Sequence, residues 1–487
     1  MADRQAQERR DIVSHKDNEA ESTTHKQQGS SRLFNTHDEL RPAHSVFNGV
    51  PAELLSLIFE GCVALELATP NSYFHQTNKA PWPLTRVCRR WRQTAQNTPS
   101  LWTTVRVSVD TLEALGHPPD NTVAILENYL GYSHPMPLSL FIISEDGFPD
   151  YILRSLVNAC ERWHDLFLFT HPDDFARLTV IRGRLPLLQS LHIIPTRVGA
   201  PLTTTPVMFE LAPSLTKTTL AGHSLTLDFA LPWPQIRDFE ANYTASSEVL
   251  PLLPLMPALV RLKLGLEPPD ELPADAHAWP VMHPGVRALV MNVAEGQIMP
   301  PGDLIDNLTL PALTELEVEC PVVERVERTR ALVARSGCAL EMLTLVITFR
   351  CMGTVESLFR LTPRLRALTV FDGVSITNTP LLEALVVPED DPGSVLLPKL
   401  ENITLLASRP LAEADVHRWL NVFESRVHPG QPAEGAENGT EVTPLRSILM
   451  GCTSGEHIVD NEDCVHRFHR MMEEGVKVDL WYGPDLF

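Results

Sequence analysis

Pro257-Ala258-Leu259-Val260-Arg261-Leu262-Lys263-Leu264 and Pro311-Ala312-Leu313-Thr314-Glu315-Leu316-Glu317-Val318 are two copies of one pattern, Pro-x-φ-x-x-φ-x-φ, in which φ is usually Leu. Further copies run from Pro186 to Ile193, Pro284 to Met291, Pro363 to Val370 and Pro398 to Leu405, with weaker ones from Pro213 and Pro234. Leu340 to Leu345 and Leu445 to Met450 fit without the Pro, and Pro137 to Leu140 and Asp165 to Leu168 read as degenerate first copies. The steps from Leu259 to Val286, Leu313 and Leu340 are equal, at about 27 residues. Later steps lengthen as loops are inserted. The last two φ positions of each copy alternate as in a strand, so they share one face and one core, and the residues between them face outward.

A strand of this kind cannot bury its apolar face alone. Leu332-Val333-Ala334 and Glu356 to Leu361 have helical character and supply an outer layer. A strand and a helix per repeat stack on their neighbours. The period lies in the range of leucine-rich repeats, which the region resembles. The expected fold class is therefore α/β: a curved, leucine-rich-repeat-like solenoid over residues 136–487, with a parallel inner sheet and helices outside. Near its end, Cys464 to Glu474 reads as a helix stopped by Gly475, and Val476 to Trp481 as a final strand; together they form a C-terminal cap. The polar, Gly- and Pro-containing stretch 427–443 reads as a flexible loop within the repeats.

Upstream lies a different module. Pro51 suits a first helical turn, and Leu54, Leu55, Ile58 and Phe59 follow at helical spacing. Leu84, Val87, Cys88, Trp91 and Ala95 repeat the spacing, with Arg86, Arg89, Arg90 and Arg92 on the other face. Helices this short need a partner surface. The motifs Pro51-Ala52-Glu53-Leu54-Leu55-Ser56-Leu57-Ile58-Phe59 and Val87-Cys88-Arg89-Arg90-Trp91-Arg92, in that order, resemble an F-box. With the repeats behind it, the chain resembles the expanded F-box families of mushroom-forming fungi. That resemblance implies a substrate-recognition subunit of an SCF-type cullin–RING ubiquitin ligase. Pro51, Leu54, Leu55, Ile58, Phe59, Val87, Cys88 and Trp91 would build the contact with a Skp-type adaptor, and through it with cullin and RING subunits. Residues 66–83 are longer than the corresponding stretch of a compact F-box and are expected to be a loop insertion. The alternative is an adaptor-bound or orphan solenoid scaffold with no degradation substrate.

The remaining boundaries are a disordered polar tail at 1–44, the F-box at 45–105 and a linker helix region at 106–135. A net charge of −21 argues against general nucleic-acid binding. No run of apolar residues approaches a membrane span, and no signal-peptide core is legible, so cytoplasm or nucleus is the expected location. The eight cysteines contain no Cys-x-x-Cys pair. Cys464, His466 and His469 alone have ligand-like spacing, without a fourth ligand. Neither a phosphate-cradling Gly-rich loop nor a Gly-x-Ser-x-Gly elbow is present. The expectation is no enzyme, no cofactor and no metal. An unknown protein target would meet the outward strand positions, with Arg261, Lys263, Glu315, Glu317 and Glu319 as candidates.

Overall fold

The computed structural model describes residues 49–482 apart from positions 70, 115, 117, 197–204, 222–228, 245, 267–279, 294–303, 321, 348–351, 373–378, 388–394, 408–412, 430–441 and 453–460. The expected tail at 1–44 and most of the expected loop at 427–443 lie outside the described residues. Ala52–Phe487 forms one unit, separate from Met1–Pro51.

Among the described residues, fourteen strands make one parallel, open sheet in which each pairs with the next of the fourteen along the chain. The first seven are β1 (Thr104–Ser108), β2 (Leu138–Ile143), β3 (Trp163–Thr170), β4 (Ser190–Pro195), β5 (Lys217–Ala221), β6 (Asp238–Thr244) and β7 (Arg261–Leu266). The others are β8 (Ala288–Val293), β9 (Glu315–Cys320), β10 (Met342–Ile347), β11 (Ala367–Asp372), β12 (Asn402–Ala407), β13 (Ser447–Cys452) and β14 (Lys477–Tyr482). Every strong and weak copy of the sequence pattern delivers one of these strands. The equal steps survive as register, because Arg261, Ala288, Glu315 and Met342 stand opposite one another on β7 to β10.

The register is set where the strands begin. The carbonyl of Val260 accepts from both Arg287 N (2.8 Å) and Ala288 N (3.1 Å). Arg287 O accepts in the same way from Thr314 N and Glu315 N, Thr314 O from Glu341 N and Met342 N, and Glu341 O from Arg366 N and Ala367 N. Each strand is thus pinned to the carbonyl just before its predecessor, and a one-residue slip would turn every side chain over. On β9, Leu316, Val318 and Cys320 are buried while Glu315, Glu317 and Glu319 are half-buried. Leu262, Leu264, Leu289, Met291, Leu343, Leu345, Ile403 and Ile448 extend the buried rows.

The longer helices are α1 (Ala52–Leu67), α2 (Arg89–Gln96), α3 (Pro119–Tyr132), α4 (Asp150–Asn158), α5 (Val323–Ser336), α6 (Met352–Phe359), α7 (Thr379–Leu385), α8 (Glu413–Val427) and α9 (Glu462–Glu473). From α5 to α9 each packs on the next. Gly337, at φ 56°, ends α5 in the left-handed conformation that glycine adopts without strain, and Gly475 lies at φ 94° after α9. Arginines tie segments together across the turns. Arg426 on α8 donates to Leu385 O (2.8 Å), Leu396 O (2.6 Å) and Leu397 O (3.1 Å), and burial pushes its pKa down to about 10. Arg335 on α5 donates to Ile305 O and Leu308 O, and Arg162 to Leu130 O and Met136 O.

One expectation is corrected. The sheet starts at Thr104, not at 136: β1 pairs with β2 over its whole length, so residues 106–135 are not a linker but the end of the first strand and its helix α3. Val105 and Val107 are fully buried, but the lead Pro99-Ser100-Leu101 stands one residue further from this five-residue strand than in the other copies, so the spacing does not match. The described residues of 68–81 carry no helix or strand, as a loop there requires, and they are held in place. Phe74 and His75 are buried, Phe74 N donates to Arg106 O (3.0 Å) and Trp82 Nε1 donates to Phe74 O (2.8 Å), which docks the segment on β1.

Cutting Leu262, Leu316 or Leu368 to Ala should each cost about 2–5 kcal/mol by leaving a cavity in a packed row. Lys263→Ala and Thr369→Ala, one position along, should cost about 0.5 kcal/mol or less. Thermal and urea melts of the five single variants separate the two groups; equal tolerance would contradict the register.

Candidate functional site

Helix α1 is Ala-Glu-Leu-Leu-Ser-Leu-Ile-Phe-Glu-Gly-Cys-Val-Ala-Leu-Glu-Leu, and it holds more large apolar residues than one helical face can bury. With 3.6 residues per turn they fall into two stripes. Leu55, Phe59 and Val63 form the buried stripe. Phe59 meets Trp91 of α2 with ring centroids 4.9 Å apart. Ser56 Oγ shares a hydrogen bond with Thr98 Oγ1 (2.9 Å), and Ser100 Oγ donates to Glu60 Oε1 (2.6 Å), so this side of α1 is fastened to the segment after α2. The second stripe faces out: Leu54 is 50% exposed, Leu57 61%, Ile58 45% and Leu65 76%, against 0% for Leu55 and Phe59.

The second half of the module differs from the expected single helix. A 3₁₀ turn covers Trp82–Thr85 and α2 begins only at Arg89. Pro83 has no N–H to give to a longer helix, and the Cys88 Sγ accepts from Trp91 N (3.4 Å) as the N-cap of α2. Val87, just before the cap, is 59% exposed. Arg92 Nε donates back to Thr85 O (2.8 Å), which fixes the angle between turn and helix.

The eight expected interface residues therefore separate by role. Leu55 and Phe59 are core, and Trp91 is half-buried on Phe59. Pro51, Leu54, Ile58, Val87 and Cys88 are exposed. Leu57 and Leu65 join the outward stripe and were not singled out from the sequence; the number of apolar residues in α1 was the signal. The module is braced against the sheet by rings. Trp102 lies 5.0 Å from Trp82, 5.1 Å from Tyr129 and 4.8 Å from Tyr132, centroid to centroid. Tyr129 Oη donates to Thr104 O (3.1 Å), and burial pushes its phenol far above the usual range.

The outward face of the sheet carries the other candidates. One cross-strand row begins Arg106, Phe141, Phe167, His192 on β1 to β4. It continues through Thr219, Glu240, Lys263 and Val290 to Glu317 on β9. Lys263 lies 3.0 Å from Glu240, and Arg261 lies 3.9 Å from Asp238. Burial works to raise the Glu240 carboxyl, but hydrogen bonds from Asn242 and Lys263 outweigh it and hold the group below the usual range. The two cations are thus matched within their own strand pair. Glu315 and Glu317 have no cationic partner among the described residues. They border a depression of about 160 Å³, with Arg261, Ala288, Val290, Met342 and Thr344 also on its walls.

Cys464, His466 and His469 are not brought together. Cys464 is buried, 3.7 Å from His417 Nε2 of α8, and the two histidines point to solvent. Among the described residues no group of three or more His, Cys, Asp or Glu is placed to hold a metal ion, and no helix is long and apolar enough to cross a membrane. No protein-family model matches the chain, and no curated protein matches it at significant similarity.

Single Leu55→Ala and Phe59→Ala variants should each lose about 2–5 kcal/mol of stability, whereas Leu54→Ala, Leu57→Ala and Ile58→Ala should melt within a degree or two of the parent. Differential scanning calorimetry checks this; a large loss at Leu57 or Ile58 would mean that the outward stripe is packed.

Proposed function

We propose that this chain is the substrate-recognition subunit of an SCF-type cullin–RING ubiquitin ligase. The outward stripe of α1 docks a Skp-type adaptor, and a leucine-rich-repeat-like solenoid holds a protein target. The observation that carries the reading is the two-sided helix. Leu54, Leu57, Ile58 and Leu65 stay exposed on a helix whose opposite face is filled, and Val87 adds to them. Single exposed apolar residues need no explanation, but a contiguous stripe marks a binding surface. The F-box motifs stand on this same module, which accounts for Leu54 and Ile58 belonging to the motif without packing on their own chain.

Burying a large apolar side chain is worth about 1.5–3 kcal/mol. Three such residues contribute on the scale of the −8.2 kcal/mol of a micromolar interface. No step of the ligase reaction then falls to this chain's side chains; it contributes proximity, raising the effective concentration of target lysines beside the loaded conjugating enzyme. The bracing of the module on β1 by Trp82, Trp102 and Tyr129 supports this role, because a rigid link keeps the target at a fixed place. Such a receptor works in cytoplasm or nucleus.

The test is adaptor pull-down by the triple variant Leu54→Ala, Leu57→Ala, Ile58→Ala, alongside deletion of residues 1–44. The triple variant should lose the adaptor while melting like the parent, and the deletion should retain it. Adaptor binding by the folded triple variant would overturn the proposal. Affinity purification with and without proteasome inhibition separates a degradation receptor, whose targets accumulate under inhibition, from a scaffold.

A further inference from the structure

Two independent features occupy one row of the outward sheet face. At one end the Arg106 guanidinium lies 5.3 Å over the Phe141 ring, Phe141 stacks 5.8 Å from Phe167, and Phe167 lies 4.7 Å from His192. These side chains are half-buried at positions where a solvated sheet face ordinarily carries polar residues. At the other end is the depression beside Glu317 and Glu315. It exists because Ala288 and Val290 are short and leave a gap between the longer side chains of β7 and β9. Between the ends, the pairs Glu240–Lys263 and Asp238–Arg261 cancel their own charge. Glu315 and Glu317 do not have that compensation among the described residues, and like charges on one strand face repel.

We propose that this row binds an extended segment of the target that crosses the strands. An apolar or aromatic side chain rests on Phe141 and Phe167, and a Lys or Arg side chain enters the depression. The aliphatic stem of that residue covers Ala288 and Val290 while its cation sits at the two carboxylates, the arrangement long basic side chains adopt on apolar ground. The carboxylates repel phosphate groups, which turns the site away from nucleic acid. Six strand steps separate β3 from β9, about 29 Å at ~4.8 Å per step. At ~3.3 Å per extended residue the anchor and the cation are about nine residues apart. The inference rests on the sheet face being the target surface.

The experiment is fluorescence anisotropy on the full chain, with its adaptor binding measured in parallel. The probes are labelled synthetic peptides carrying Phe-Leu and Lys-Arg pairs joined by Gly-Ser spacers of about three, nine or fifteen residues. The middle spacer should bind at least about tenfold tighter than the short one, because only it lets both ends engage at once. Phe167→Ser should lower its affinity to that of a peptide without Phe-Leu. Glu315→Gln with Glu317→Gln should remove the Lys-Arg contribution and most of the salt dependence. Val290→Trp, which fills the depression and leaves the charge intact, should do the same. Glu127→Gln with Glu473→Gln, exposed carboxylates on α3 and α9, should change nothing. Affinity independent of spacer length, or equal for the two Gln pairs, would overturn the proposal. Loss of adaptor binding with spacer dependence intact would instead remove the ligase assignment and leave this site standing.

Discussion

The fold depends on one repeated backbone constraint. At each strand start from β5 to β13 a single carbonyl just before the preceding strand accepts from two successive N–H groups of the new strand, as Val260 O does from Arg287 N and Ala288 N. Once that bond pair is made, the parallel ladder leaves no freedom of register. Leu262, Leu289, Leu316 and Leu343 must fall in one buried row, and Lys263, Val290, Glu317 and Thr344 in one outward row. The apolar row supplies the driving force, since each such side chain is worth about 1.5–3 kcal/mol on burial. Carbonyls at the turns are collected by arginines: Arg426 alone binds those of Leu385, Leu396 and Leu397, the last of which also accepts from Leu400 N.

The helical module follows from the same rule applied at the first strand. β1 is covered on one side by Trp102, Tyr129 and the docked 66–83 segment, so α1 meets a surface that accepts only Leu55, Phe59 and Val63. Of the other large apolar residues of α1, Leu54, Leu57, Ile58 and Leu65 are exposed among the described residues. Under the proposed function that exposed stripe docks one partner, and the outward face of the sheet holds a second. The proposed division of labour between two partners rests on this packing.

Much of this was legible in the sequence, because the repeat is written in side chains. A Pro, a Leu three before the strand core and two alternating apolar positions recur with little change, and even the weak copies at Pro213 and Pro234 lead into β5 and β6. What was not legible has physical reasons. β1 is five residues long and its lead, Pro99-Ser100-Leu101, stands one residue further back than in the other copies, so Val105 and Val107 fall out of the pattern. Apolar spacing placed Leu84 to Ala95 in one helix, but spacing does not register that Pro83 tightens the turn and Cys88 caps the next helix. The motif around Leu54 and Leu55 could not be divided between core and interface, because adjacent residues on a helix point about 100° apart and only packing decides which direction is inside. The outward cations Arg261 and Lys263 looked available for a target until register placed Asp238 and Glu240 beside them.

Hydrogen–deuterium exchange of the chain with and without the Skp-type adaptor tests the central claim most directly, because it reports where a partner sits without any substitution. The account predicts added protection across Ala52–Leu67 and at residues 87–96, with the outward strands β2 to β10 unchanged. Protection confined to the strands, or none at α1 under conditions where the adaptor is bound, would contradict it.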